Sequence, residues 1–265
     1  LGLTYFYSYG GQNRDVFVGS GRDSSSLWFG VSPQVGRLKM IRVNQVLRSR
    51  EWCHVAAVMG QAGMKLFLNG VLVGQNDFPL SFADLPDGAP NYIGRMNGGP
   101  DFQGQINEFR VWRVARTEEQ IRAQMNQTLT GSEPGLAGLW NFADGTARDS
   151  STNAHHGTLR GGAKVVKVHG PTSGQFKPPT LFSGRITDRE GNVVTNATLR
   201  FWHGDQEIAT ARSRPDGSYA LALRPERAGD TVDLQVQKGE LGAWVLGVVC
   251  SGSDRQEVNV NSPLR

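Results

Sequence analysis

FQGQINEFRVWRVARTEEQIRAQM, residues 102–125, runs an alternating strand straight into a capped helix. In its GQINEFRVW portion Ile106, Glu108, Arg110 and Trp112 share one face, and Asn107, Phe109 and Val111 share the other. Thr117 stands three residues before Gln120. At that spacing a hydroxyl accepts from an orphan backbone N–H while the glutamine side chain reaches back to the cap. Ile121 and Met125 follow at i and i+4, so the pattern predicts one short helix with a single apolar stripe. Little else in the chain favours a helix.

Outward from this stretch the sequence reads as short strands divided by Gly, Asn, Asp and Pro turns. Tyr5, Tyr7 and Tyr9 alternate with Phe6 and Ser8, and Val16 and Val18 follow a GGQNRD turn. Leu27, Phe29 and Val31 alternate with Trp28 and Gly30. WCHVAAV, residues 52–58, is apolar on both faces, as a strand inside a sandwich would be. In MKLFLNGVLVG, residues 64–74, Asn69 and Gly70 supply the two positive-φ positions of a type I′ hairpin. NYIGR (91–95), GLAGLWNFADG (135–145) and GTLRGGAKVV (157–166) extend the series. Antiparallel strands with one helix predict an all-β, two-sheet jelly roll over residues 1–168.

HGPTSGQFKPPT, residues 169–180, is rich in Gly, Pro, Ser and Thr, has little to bury, and reads as a linker. From 181 to 265 the strand pattern restarts, with about seven strands, the density of an immunoglobulin-like or transthyretin-like sandwich.

Composition excludes several functions. The 28 basic and 24 acidic residues leave a net charge of +4, with both signs interspersed, too mild for a nucleic-acid surface. No stretch is long and apolar enough for membrane insertion. Cys53 and Cys250 fall in different expected domains, so each is expected to be a small buried hydrophobe and not half of a disulfide. The start at Leu1 reads as a fragment of a larger protein.

The WCHVAAV strand, the LFLNG hairpin, NYIGR, FQGQINEFRVWRVARTEEQI and the closing GLAGLWNFADGTARDSSTNAHHGTLRGGAKVV together resemble a laminin-G-like or pentraxin-like concanavalin-type jelly roll. SGRITDREGNVVTNATLRFW and SRPDGSYALAL resemble the carboxypeptidase-regulatory-like family, a noncatalytic β-sandwich appended to other modules. The first resemblance implies binding of a carbohydrate or protein ligand, and the pair implies an extracellular or cell-surface location, with the periplasm as the alternative and the cytoplasm left open. It also implies calcium at the rim, held by carboxylates and carbonyls. In the matching loop, 96–103, Asn97 and Asp101 are the candidate ligands, with Asp77 approaching from a neighbouring loop. Turn capping accounts for the same residues, and Gln103, Gln105 and Asn107 stand where relatives carry acids.

Tyr5, Tyr7 and Tyr9 form the candidate ligand stripe, since aromatic rings stack on sugars. Core or rim packing is the competing reading, and core packing is also the reading for Trp28, Trp52, Trp112 and Trp140. Glycoside hydrolysis needs two facing carboxylates, and INEFR offers only Glu108, beside Arg110 on its own face. An ion pair between those two is the expectation, so no catalytic residue is assigned. His155 and His156 are adjacent and point apart, which suits a turn better than a metal site. Open sheet edges leave self-association as a rival role: a building block of a surface filament or multidomain sensor.

Overall fold

The computed structural model describes residues 4–11, 14–21, 25–167, 176–224, 229–253 and 255–261. Strands β1 (Thr4–Gly11), β2 (Arg14–Ser20), β3 (Leu27–Ser32) and β4 (Lys39–Val43) form an antiparallel meander. Strands β5 (Val55–Gly60), β6 (Gly63–Leu68) and β7 (Val71–Asn76) form a second sheet. β8 (Asn91–Ile93) then returns to pair with β1, giving the order β4-β3-β2-β1-β8. Val16, Val18, Leu27, Phe29, Val31, Ile41 and Val43 of the larger sheet meet Met64, Leu66, Leu68 and Val73 of the smaller in one core. Each such side chain, fully buried, contributes roughly 1.5–3 kcal/mol.

β9 (Phe109–Trp112) leads through a turn into α1 (Glu118–Gln124), and β10 (Leu136–Trp140) pairs with β9. The capping box is present: Gln120 N–H donates to Thr117 Oγ1 at 3.2 Å, and Thr117 N–H donates to Gln120 Oε1 at 3.1 Å. Asn69 (φ 50°) and Gly70 (φ 80°) make the hairpin tip. A Cβ on Gly70 would lie 2.7 Å from Arg122 Cγ, and Arg122 Nε donates to the Gly70 carbonyl at 3.0 Å, so the helix seats on this hairpin.

Several expectations require correction. The strand within residues 104–112 begins only at Phe109, because Glu108 takes φ 52° and breaks the alternation. β5 begins at Val55 and is only partly buried, with Val55 and Met59 against the core, since it is the edge of its sheet and lacks a neighbour on one side. Residues 157–166 form no strand and are almost wholly exposed, with Gly161 at φ 59°. Trp28, Trp52, Trp112 and Trp140 are partly buried, at the rim of the packing, with Trp112 against the small core of Leu129, Leu136 and Leu139. The GGQNRD turn includes residues 12–13, outside the described residues.

Strands β11 (Thr180–Thr187), β12 (Thr198–His203), β13 (Gln206–Arg212), β14 (Ser218–Leu223), β15 (Thr231–Lys238), β16 (Leu241–Val249), β17 (Arg255–Glu257) and β18 (Val260–Asn261) follow. β14-β11-β17, with β18 also on β11, forms one sheet and β13-β12-β15-β16 another. Phe182, Ile186, Leu199, Phe201, Tyr219, Leu234 and Val236 fill a separate core between them. Of the expected linker, residues 169–175 lie outside the described residues, and its last residue, Thr180, opens β11. Ala222 reaches into the first core, and Arg224 pairs with Glu51 and accepts from Arg48 Nη2 through its carbonyl at 2.9 Å. Among the described residues no helix is long and apolar enough to cross a membrane.

Candidate functional site

The five-stranded sheet has an inner face, given to the core, and an outer one. A bulge in β1 decides what lies on each: Tyr5 pairs with Gly19 and Tyr7 with Val18, so Phe6 is the extra residue. Tyr7 and Tyr9 therefore turn inward with Phe6 and pack on the core, while Tyr5 turns outward beside Phe17. The three tyrosines are not a stripe. Tyr7 leans on Phe109 (5.1 Å between centroids), its hydroxyl pKa raised by burial and by Tyr9. Tyr9 donates its hydroxyl to the Pro86 carbonyl at 2.7 Å. The bulge is invisible to a simple period-2 reading.

On the outer face Tyr5 meets Phe17 edge-on at 5.6 Å, and Phe17 lies across Gly30, where a Cβ would stand 2.2 Å from the ring. Tyr5 and Phe17 are only 9% and 8% exposed, so they form a floor and not a contact surface. The accessible groups surround them. Arg42 lies over the Trp28 ring at 5.0 Å, exposed Met40 pairs across from Gly30, and exposed Asn97 approaches Gly11. Asp15, on the same face, is buried, and that burial raises its carboxyl pKa. Phe17, Trp28 and Arg42 were not expected as site residues. The signal that marks them is that Asp15, Phe17 and Gly19 fall out of phase with Val16 and Val18.

The calcium candidates do not converge. Asp101 is ion-paired with Arg95 at 3.2 Å, which sets a fixed positive charge where a cation would sit. Asp77 abuts the Gly63 turn, and Asn97 faces Gly11. Among the described residues no group of three or more His, Cys, Asp or Glu is placed to hold a metal. As placed, these residues do not fit a calcium cradle.

Glu108 is held by Arg110, Oε2 to Nη2 at 2.9 Å, and Arg110 Nη1 donates to the Gln124 carbonyl at 2.8 Å. The arginine thus ties β9 to the carbonyl end of α1, where a cation is favoured, and the carboxylate serves that tie. Burial pushes the Cys53 thiol up to about 11, against the lowering effect of Arg224, so it is no thiolate nucleophile. His155 and His156 lie in the turn closed by Asp149, which accepts from Leu139, Ser151 and His155 N–H groups at 2.8 Å each.

His54 stacks edge-on against Phe176, 6.2 Å between centroids. Burial, and secondarily the Arg110 charge, lower its pKa to about 4. The unfolded value is about 6.5, so the ring stays neutral in the fold down to a lower pH than in the open chain. The stability it carries is complete above pH ~6.5 and is lost as pH falls toward 4, about 3 kcal/mol in all. Urea unfolding at pH 7.5 and 4.5 should show the wild type losing that much more than His54→Gln. Equal losses would contradict the assignment.

Residues 4–122 match the model of the concanavalin A-like lectin/glucanases superfamily, which supports the jelly roll over that span. Comparison with curated proteins finds no match. Among solved structures, an S-layer domain-containing protein (residues 221–444) from Clostridium thermocellum ATCC 27405 is 23% identical over 46% of this chain and 62% of that one, with a TM-score of 0.27. The chain therefore spans less than two thirds of that relative. The dioxygenase domain of a dioxygenase carbohydrate-binding protein fusion from Streptomyces sp. SirexAA-E is 15% identical over 36% of this chain and 96% of that one, with a TM-score of 0.22. At such scores neither structure defines the fold or function of this chain.

Proposed function

We propose that this chain is a noncatalytic binding segment of a larger surface or secreted protein, and that its jelly roll takes a carbohydrate ligand on the outer face of the five-stranded sheet. The observation that carries the reading is the Trp28–Arg42 stack beside a glycine-cleared floor, an exposed planar donor fork backed by an indole ring. The pairing of Glu108 with Arg110 supports a noncatalytic role, since a hydrolase would need that carboxylate free and a second one opposite. The pairing of Asp101 with Arg95 supports binding without calcium. A screen of the full chain against a glycan array and soluble glucans tests this. Binding should survive EDTA, weaken at least about tenfold in Trp28→Ala, and proceed without release of reducing ends. Hydrolysis that Glu108→Gln abolishes, or no glycan bound at all, would overturn the proposal.

A second reading, a building block that associates through its sheets, is favoured by one observation: β16 is a nine-residue edge strand with exposed Leu241, Trp244, Leu246 and Val249. Sedimentation showing a monomer across the accessible concentration range would dispose of it.

A further inference from the structure

The outer face of the sheet β13-β12-β15-β16 carries a second aromatic surface. Alternation sends Ala243 and Val245 toward the core and Trp244 and Leu246 outward, 51% and 71% exposed. The register sets Trp244 beside Gln235 and Gln235 beside Arg200, while Trp202 lies beside Asp233 and Glu207. The two indoles stand 6.1 Å apart at 45°, a tilted pair on one face. Among the described residues no acceptor reaches Trp202 Nε1, so packing and not a hydrogen bond orients that ring.

The polar groups around the pair select the class of ligand. Arg200 Nε stands 3.5 Å from Glu207 Oε2, and its Nη1 donates to Gln237 Oε1 at 2.6 Å, so those two charges cancel locally, while the Asp233 carboxylate accepts from the Gly247 N–H. What is offered outward is aromatic faces, negative at their centres, bordered by amides that both donate and accept. That is electrostatically complementary to a neutral polyol, whose C–H face is weakly positive and whose hydroxyls donate and accept, and the one carboxylate left beside the rings, Asp233, is already engaged by a backbone N–H. A strand partner suits it less. The β15–β16 register shifts between Val232 and Leu234, Gly247 takes φ 68°, and its N–H is used by Asp233 Oδ1 at 2.7 Å, which interrupts the free edge.

We propose that Trp202 and Trp244 form a stacking platform for a neutral polysaccharide chain, a site separate from the jelly-roll face and independent of it. The test is affinity electrophoresis of the full chain carrying Trp28→Ala, in gels containing laminarin, barley β-glucan, glucomannan or xylan. At least one gel should retard it. Adding Trp244→Leu, which keeps an apolar side chain but no flat ring, should weaken that retardation tenfold or more, and Trp244→Phe should weaken it less than threefold. Gln235→Ala, with both rings in place, should cost at least threefold and keeps the test decisive should the leucine variant misfold. Migration unchanged by Trp244→Leu and Gln235→Ala, or no retardation in any gel, would overturn the platform. So would a dimer that Trp244→Leu dissociates, which would make this face a protein contact.

Discussion

Asp149→Ala should lower the unfolding free energy by about 3–5 kcal/mol, the range expected when a buried, multiply bonded carboxylate is removed. The residue is 1% exposed and accepts from three backbone N–H groups, those of Leu139, Ser151 and His155, and from Ser151 Oγ at 2.9 Å. Truncation leaves two buried donors, on Leu139 and Ser151, and a part-buried one on His155 without partners. The affected region is the β9–β10 layer, because Leu139 belongs to the small core with Leu129 and Leu136. Burial alone would raise the Asp149 pKa, but the hydrogen bonds from Leu139, Ser151 and His155 outweigh it and hold it below the usual carboxylate range. A depressed folded pKa means that the stabilisation is complete above the unfolded value of about 3.9 and is lost as pH falls through the folded one. The cost of the alanine substitution should therefore be full at neutral pH and shrink in strong acid. Asp149→Asn keeps one acceptor oxygen but turns an amide donor toward the remaining N–H groups, and should fall between. Urea unfolding of the three proteins at pH 7 checks the order; a loss under 1 kcal/mol for alanine would contradict it.

Gly184→Ala should destabilise the C-terminal sandwich by about 3 kcal/mol, the upper range for overpacking. A Cβ there would stand 2.0 Å from the Val258 carbonyl oxygen and 3.1 Å from Tyr219 Cε1. Neither neighbour can yield cheaply. The Val258 carbonyl accepts the Tyr219 hydroxyl at 2.6 Å, and the Val258 N–H donates to Ser183 at 2.7 Å, so backbone and ring are locked to the same spot. Moving Val258 away would strip β17 and β18 from β11, where they pair in parallel through Leu181–Ser183 and Ile186–Thr187. Hydrogen exchange should show protection lost along β11, β17 and β18 while β6 keeps its own. Uniform protection in both would contradict the geometry.

The capped helix and the Asn69–Gly70 hairpin were legible from sequence because each depends on a local rule: a side chain reaching its own turn, or two residues that tolerate positive φ. The Glu108–Arg110 tie was legible for the same reason. Where the sequence misled, a non-local fact intervened. The inserted Phe6 reverses Tyr5 relative to Tyr7 and Tyr9, and no alternation pattern records an inserted residue. β5 has apolar residues on both sides yet is only partly buried, because its place at a sheet edge is settled by pairing. The candidate surface around Trp28 and Arg42 was missed because a cross-strand stack depends on register, which joins residues fourteen apart in the chain. Asp101 looked like a metal ligand until its neighbour Arg95 was seen to occupy it.

The most direct test of the binding account is a crystal structure of the chain soaked with an oligosaccharide cut from whichever glycan it binds. The account predicts a sugar hydrogen-bonded by Arg42 at the Trp28–Arg42 stack, and no metal between Asn97 and Asp101. A ligand held away from this face, or bridged to a calcium ion at Asp101, would contradict it.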